Sequence, residues 1–236
     1  MQALILAAGF GTRLKEFGET LPKGLIPTGN STLLGKVMSE LQNIPVTLIT
    51  NAKFYPQYAE WIDKESKALV LVNDKATDPD NRLGALGDLL FALESTIGWN
   101  DDLLVIPSDT YYEFSIQDFI AFAQAKNSFA TVVRKMDTTL IAGRLGCAVV
   151  EGEYITSFVE KPQIPPSDLA AIPFYYYPKA VLARLPEYKQ EGGNMDAPGS
   201  IIPWFLSKQI PVVAYLTQGQ TLDVGTMSDV ERLQTL

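Results

Sequence analysis

The chain has 236 residues, 47% of them hydrophobic, enough to bury the core of one sizeable α/β domain. Its net charge of −8 excludes an extended basic surface for nucleic acid, although a few local cations can still hold a small anion. It has no histidine and one cysteine, Cys147, which rules out imidazole bases, Ser-His-Asp and Cys-His catalysis, histidine-held zinc, thiolate clusters and intrachain disulfides. Carboxylates, lysines, arginines, hydroxyls and backbone amides are left. That set suits phosphoryl chemistry, where positioning and charge neutralisation carry most of the catalysis.

The first apolar run, ALILAA at 3–8, reads as a buried strand emptying into a glycine loop. It follows Met1 at once, without the basic start, long apolar core and cleavage site of a signal peptide. No stretch reaches the ~18 apolar residues of a membrane span. A cytoplasmic protein with neither a membrane nor a nucleic-acid partner is expected. A helix is expected over 31–42, where Leu34, Val37, Met38 and Leu41 share a face and Asn30 or Ser31 stands at the cap. The runs VTLIT (46–50), ALVLV (68–72), LLVIP (103–107) and FATVV (129–133) then alternate with helical patterns at 54–65, 84–95 and 116–126.

These strands are continuous rather than alternating, as strands covered on both faces are. The β-α rhythm predicts a three-layer αβα sandwich around a Rossmann-like, mainly parallel mixed sheet. After residue 134 the rhythm changes. A hairpin is expected over 146–161, turning near Gly152, followed by strands FYYY (174–177) and VVAYL (212–216). No linker interrupts the chain, so one domain is expected over 1–236. Within it, 1–133 forms a nucleotide-binding part and 134–236 an acceptor-binding elaboration on the same sheet.

The strongest chemical signal is LAAGFGTRL (6–14), followed by Pro22 and Lys23. Gly9 and Gly11 let backbone amides approach a ligand, and Arg13 and Lys23 place cations beside them, the makings of a triphosphate cradle. A dinucleotide fingerprint would need a third glycine where Leu14 stands. A Walker loop is missing too, since Gly35-Lys36 lacks the upstream glycine and the following hydroxyl. Asp109 stands just past LLVIP, at the carboxyl edge where open α/β sheets bind ligands; read alone, it could equally be a turn or cap residue.

With these elements the chain resembles the sugar-phosphate nucleotidyltransferases. Their strand, G-x-G-T-R-L loop and Pro-Lys pair match residues 3–23, and further elements match along nearly the whole chain. The resemblance implies nucleotide binding by Ala7, Ala8, Gly9, Gly11, Thr12, Arg13 and Lys23, with Arg13 and Lys23 catalytic. It implies magnesium as cofactor, held by Asp109 of SDT (108–110) and Asp223 of DVGT (223–226). FVEKP (158–162) supplies Glu160 and Lys161 to the acceptor, RLG (144–146) places Gly146 at the sugar pocket, and Tyr175 comes from PFYYY (173–177), where Pro173 replaces the family's glycine.

The base-reading region, VNDKATDPDNRLGALGDLL (72–90), matches less well: Gly84 marks the helix start and Asn73 stands where a glutamine is usual. An amide there can read a pyrimidine edge. The expected reaction transfers a nucleotidyl unit from an NTP, with UTP or dTTP ahead of CTP and GTP, to a sugar 1-phosphate. A cytidylyltransferase acting on choline phosphate or another phosphorylated alcohol is the alternative. A regulatory subunit without turnover and an NAD-binding reductase are weaker alternatives, and a homo-oligomer is left open.

Overall fold

The computed structural model describes the backbone of residues 1–236 and every side chain except that of Glu16. Its strands are β1 (Gln2–Leu6), β2 (Pro27–Thr28), β3 (Ser31–Thr32), β4 (Val46–Thr50), β5 (Val70–Asn73), β6 (Leu103–Pro107) and β7 (Thr110–Tyr112). They continue with β8 (Phe129–Lys135), β9 (Gly146–Glu151), β10 (Tyr154–Val159), β11 (Leu169–Tyr177), β12 (Val212–Thr217) and β13 (Thr221–Asp223). The helices are α1 (Glu16–Thr20), α2 (Leu33–Glu40), α3 (Tyr55–Glu65), α4 (Ala85–Ala92), α5 (Ile116–Lys126) and α6 (Thr138–Ile141). Then come α7 (Lys179–Leu182), α8 (Leu185–Gln190), α9 (Ile201–Ser207) and α10 (Met227–Leu233). None is long and apolar enough to cross a membrane among the described residues.

Nine strands form one sheet in the order β5-β4-β1-β6-β11-β8-β12-β10-β9. β1 pairs in parallel with β4 and β6, and β8 with β12. β10 and β11 run against the rest. β9 also returns to β11 through Ala170↔Cys147 and Ala171↔Gly146, so the far end of the sheet curls closed. The sandwich and the mainly parallel mixed sheet are as the sequence predicts.

The continuous apolar strands have a direct cause. Successive side chains of a strand point to opposite faces, and both faces here are covered. In β1, Leu4 joins one core while Ala3 and Ile5 join the other. In β6, Leu103 and Val105 face the first core, and Leu104 and Ile106 the second. The first core is closed by α4, α8 and α9, through Leu86, Leu89, Leu185, Ile201 and Phe205. The second is closed by α2, α3 and α5, through Leu34, Val37, Tyr58, Ile116 and Phe119.

Three details differ from expectation. The cap of α2 is Thr32, whose Oγ1 accepts from the Gly35 amide at 3.0 Å. Asn30 and Ser31 are used instead in the small β2–β3 hairpin. The helix expected over 84–95 is α-helical only to Ala92 and widens into a π turn over Leu93–Ile97. β11 begins at Leu169 and takes in Pro173, which sits where the register with β8 shifts between Ile172 and Tyr175. A bulge is a place where a strand tolerates a missing N–H.

Candidate active site

β1 delivers its last residues to the carboxyl edge of the sheet, and Ala7 continues the ladder by donating to the Ile49 carbonyl at 2.9 Å. The Ala8 carbonyl then accepts from the Asn51 side-chain amide at 2.9 Å, while Asn51 Oδ1 accepts from the Phe54 amide. Asn51 is fully buried, so this contact pins the loop's first turn to β4. Sequence reading missed it, although an Asn directly after a buried strand was a visible signal. Gly9 is exposed, with open space where a side chain would stand. Gly11 takes φ of 66°, the left-handed region, and Thr12–Leu14 then make a single 3₁₀ turn. Gly18 of α1 packs against the Gly11 carbonyl so closely that a Cβ there would overlap it. The tight-packing glycine therefore lies at 18 rather than at 14.

A third, smaller core holds this loop to the end of the chain. Leu14, Ile26 and Leu33 pack with Leu222, Val224, Val230 and Leu233. Arg13 is thereby set beside Gly225; a Cβ on Gly225 would stand 3.0 Å from its guanidinium. Asp223 comes to the same place by another route. β13 pairs with β7 in a separate two-stranded ladder, Asp223 opposite Thr110, and the Val224 amide donates to the Asp109 carbonyl at 2.9 Å. Asp109 and Asp223 are 114 positions apart, yet both line one cavity of ≈ 660 Å³.

The electrostatics follow from this crowding. Lys23 Nζ donates to Asp109 Oδ2 at 2.7 Å. Burial alone lowers the Lys23 ammonium, but the charge and hydrogen bond of Asp109 outweigh it and leave Lys23 raised. The Asp223 carboxyl is pushed up to about 6, first by burial and then by Asp109, with Lys23 and Arg13 pulling the other way. A carboxyl held up by a second carboxyl is one that a cation would relieve.

Much of the cavity's lining comes from the second half of the chain. Gly146, Glu160, Lys161 and Tyr175 all line it. Burial raises the Glu160 carboxyl despite neighbouring Lys161. Lys161 has φ of 47°, left-handed for a residue with a side chain, a strain of the kind that concentrates at functional sites. Tyr175 is buried, which with the charge of Glu160 holds its phenol well above its usual range.

The structure thus brings Arg13, Asp109, Asp223, Gly146, Glu160, Lys161 and Tyr175 to one cavity, with Lys23 bonded to Asp109 at its edge. Ala7, Ala8, Gly9, Gly11 and Thr12 form the loop alongside. Asn73 and Gly84 are not among the lining residues. The Asn73 side chain is occupied locally, Oδ1 accepting from the Lys75 amide at 2.8 Å. Gly84, at φ of 79°, packs on the backbone of Met195 and Asp196. The first amides of α4, from Ala85 and Leu86, donate to the Asp196 and Met195 carbonyls and so are not free for a ligand.

Magnesium fits the donor set. It is a hard cation, usually held by one or two carboxylates together with substrate phosphates and waters. Asp109 and Asp223 supply such a pair. Among the described residues no group of three or more His, Cys, Asp or Glu side chains is placed to hold a metal by itself, so phosphate oxygens and water would complete the shell.

Comparison with known proteins identifies the family. The family model described as nucleotidyl transferase matches residues 2–235. A provisionally named mannose-1-phosphate guanyltransferase of Sulfolobus acidocaldarius is 24% identical over 238 residues, covering 99% of this chain and 62% of that protein. The mannose-1-phosphate guanylyltransferase catalytic subunit beta of Danio rerio is 29% identical over 191 residues, covering 78% of this chain and 52% of that protein. The chain therefore spans between half and two thirds of the length of these curated relatives. A crystal structure of a provisionally named glucose-1-phosphate thymidylyltransferase from Bacillus anthracis superposes with a TM-score of 0.82 at 21% identity, covering 100% of this chain and 94% of that one. At that identity the superposition speaks for the fold. The chain belongs to the nucleotidyl transferase family, whose model spans nearly all of it.

Proposed function

We propose that this protein transfers a nucleotidyl unit from an NTP to a sugar 1-phosphate, with release of pyrophosphate. The observation that supports it is the meeting of two motif sets on one cavity: Arg13, Asp109 and Asp223 from one, Glu160 and Lys161 from the other. A phosphate oxygen of the acceptor attacks the α-phosphorus, the bond from that phosphorus to the pyrophosphate oxygen breaks, and the electron pair leaves with pyrophosphate. The attacking oxygen is already ionised at neutral pH, so a chain without histidine lacks nothing the step requires. Asp109 and Asp223 would hold magnesium, which would supply charge neutralisation for the phosphates. Lys161 orients the acceptor phosphate. Arg13 and the loop amides of Gly9–Thr12 stabilise charge on the departing groups.

For the base, the reading moves away from UTP or dTTP. That preference rested on the Asn73 amide, whose oxygen is engaged by Lys75. The curated relatives named above are guanylyltransferases, which favours GTP with a hexose 1-phosphate. Nothing in the comparisons favours the cytidylyltransferase alternative. Magnesium-dependent pyrophosphate release, measured with four NTPs against a panel of hexose 1-phosphates, tests the proposal. Activity with GTP and mannose 1-phosphate above the other pairs is expected; no turnover with any pair would sink the reaction class. Within that assay, Lys161→Ala should raise the KM for the sugar phosphate at least ~10-fold while moving the KM for the NTP little. An equal rise in both would remove Lys161 from the acceptor side.

A further inference from the structure

Asp223 lies outside the main sheet. Its strand, β13, pairs only with β7, and both belong to a ladder of two short strands. Such a ladder is marginal by itself, and a site built on it needs anchoring. β7 is anchored by continuity, since Ser108 still donates to Leu6 of β1 at 3.0 Å. β13 follows β12 through the turn Gln218–Gln220, whose Gly219 amide donates to Thr217 Oγ1 at 3.0 Å, and Leu222 packs in the third core, but no strand of the main sheet pairs with it.

Arg134 supplies the link. It stands near the end of β8, opposite Thr217, the last residue of β12. Its Nη1 donates to the Thr221 carbonyl at 3.2 Å and approaches the Thr221 hydroxyl at 3.4 Å. The guanidinium thus spans the turn and grips β13 two residues before Asp223. The charges acting on the Asp223 carboxyl come from Asp109, Lys23, Arg13 and Asp229, and Arg134 is not among them. Its contact is to the backbone of the strand, although the side chain also lines the cavity.

We infer that Arg134 is a positioning residue for the proposed metal carboxylate: it fixes the height of β13 on the main sheet, so that Asp223 faces Asp109. The inference rests on the reading of Asp109 and Asp223 given above. Partners behind a metal ligand typically change metal affinity or activity by ~10–100-fold. Both contacts come from one nitrogen of the planar guanidinium, whose reach and orientation a lysine ammonium reproduces only in part.

The test uses Arg134→Met, with Arg134→Lys as the conservative variant that carries the experiment if the first does not fold. Three readouts are needed: hydrogen exchange across 221–225 without metal, manganese binding to the nucleotide-bound protein by paramagnetic resonance, and steady-state kinetics. Faster exchange at Val224, ~10-fold weaker manganese binding and a lower kcat with little change in either KM are expected for Arg134→Met, with part of each loss recovered by Arg134→Lys. A rise in one substrate's KM with exchange and manganese binding unchanged would overturn the inference and make Arg134 a direct substrate contact. Unchanged exchange and metal binding together would overturn it as well. Asp223→Asn runs alongside: if it keeps full manganese affinity, the metal reading fails, whatever Arg134 does to the strand.

Discussion

Two pairs of aspartates stand at the carboxyl edge of this sheet, and their surroundings give them opposite fates. Asp109 and Asp223 line the large cavity with Lys23 and Arg13 close by. Asp74 and Asp88 lie in the packing between the end of β5 and α4, at 5% and 6% exposure. Asp74 Oδ1 accepts from the Ala76 amide at 2.7 Å, but Asp74 Oδ2 and Asp88 Oδ1 are buried without any donor. Burial first, and then the Asp74 charge, push the Asp88 carboxyl up to about 8. Two buried carboxylates with no cation cannot both ionise, so this pair keeps a proton, donated from Asp88 to Asp74. The first pair lines the cavity and is flanked by cations, which leaves room for an arriving ion. The second is closed, and its proton does the work that a metal or a lysine would do elsewhere. Carboxylate proximity alone does not make a metal site; access and neighbouring charge decide.

The sharpest way to break this comparison is to neutralise one member of each pair. Asp109→Asn or Asp223→Asn should lower magnesium-dependent turnover by ~10²–10³-fold or more, while the folded protein persists. Pyrophosphate release and a thermal scan read both quantities; near-normal turnover would dissolve the functional half of the contrast.

Asp88→Asn should do the reverse, leaving turnover within a few-fold and changing stability instead. The sign follows from proton linkage. The folded value of about 8 lies above the unfolded carboxylate value of about 4. Between them the folded protein holds more protons, so stability is full below about pH 4 and falls as pH rises to about 8. The amide cannot ionise. At pH 8 Asp88→Asn should therefore be more stable than the parent, by up to about 5 kcal/mol, and near pH 4 indistinguishable from it. Denaturant unfolding at both pH values checks this, and an equal gain at both would show that the proton is not shared as described.

The smallest effect is expected close by. Arg82 bonds Asp196 at 2.9 Å beside Gly84, but both side chains are more than half exposed. Arg82→Ala should cost about 1 kcal/mol or less, because an exposed pair is screened and loses side-chain entropy. A larger loss would mean that this contact, rather than the backbone bonds of Ala85 and Leu86, docks α4 on the 195–196 segment.

Much of this molecule was legible in its sequence, for local reasons. The strands of the first half are runs of adjacent apolar residues because each face of the sheet meets a separate core, and such runs need no distant information. The loop LAAGFGTRL, SDT and FVEKP stand out in the sequence because each sets given residue types at close spacing, and the structure brings residues of all three to one cavity. Asn73 and Gly84 were read from the same kind of local pattern, and the structure places them outside the lining of the main cavity. Their local pattern suits a base pocket, but the asparagine closes its own turn and the glycine makes room for a backbone from residue 195. Those partners are chosen by the fold.

What only the tertiary structure decided were the encounters between distant segments. Leu14 packs with Val224 and Val230, which sets Arg13 beside Gly225. Asn51 holds Ala8, and Arg134 reaches Thr221 across a turn. Asp74 finds Asp88 rather than a cation. A residue's type and its near neighbours set what it can do. Whether a carboxyl holds a proton, a lysine or a place for a metal depends on which remote side chains share its low-dielectric surroundings, and chain order does not encode that directly.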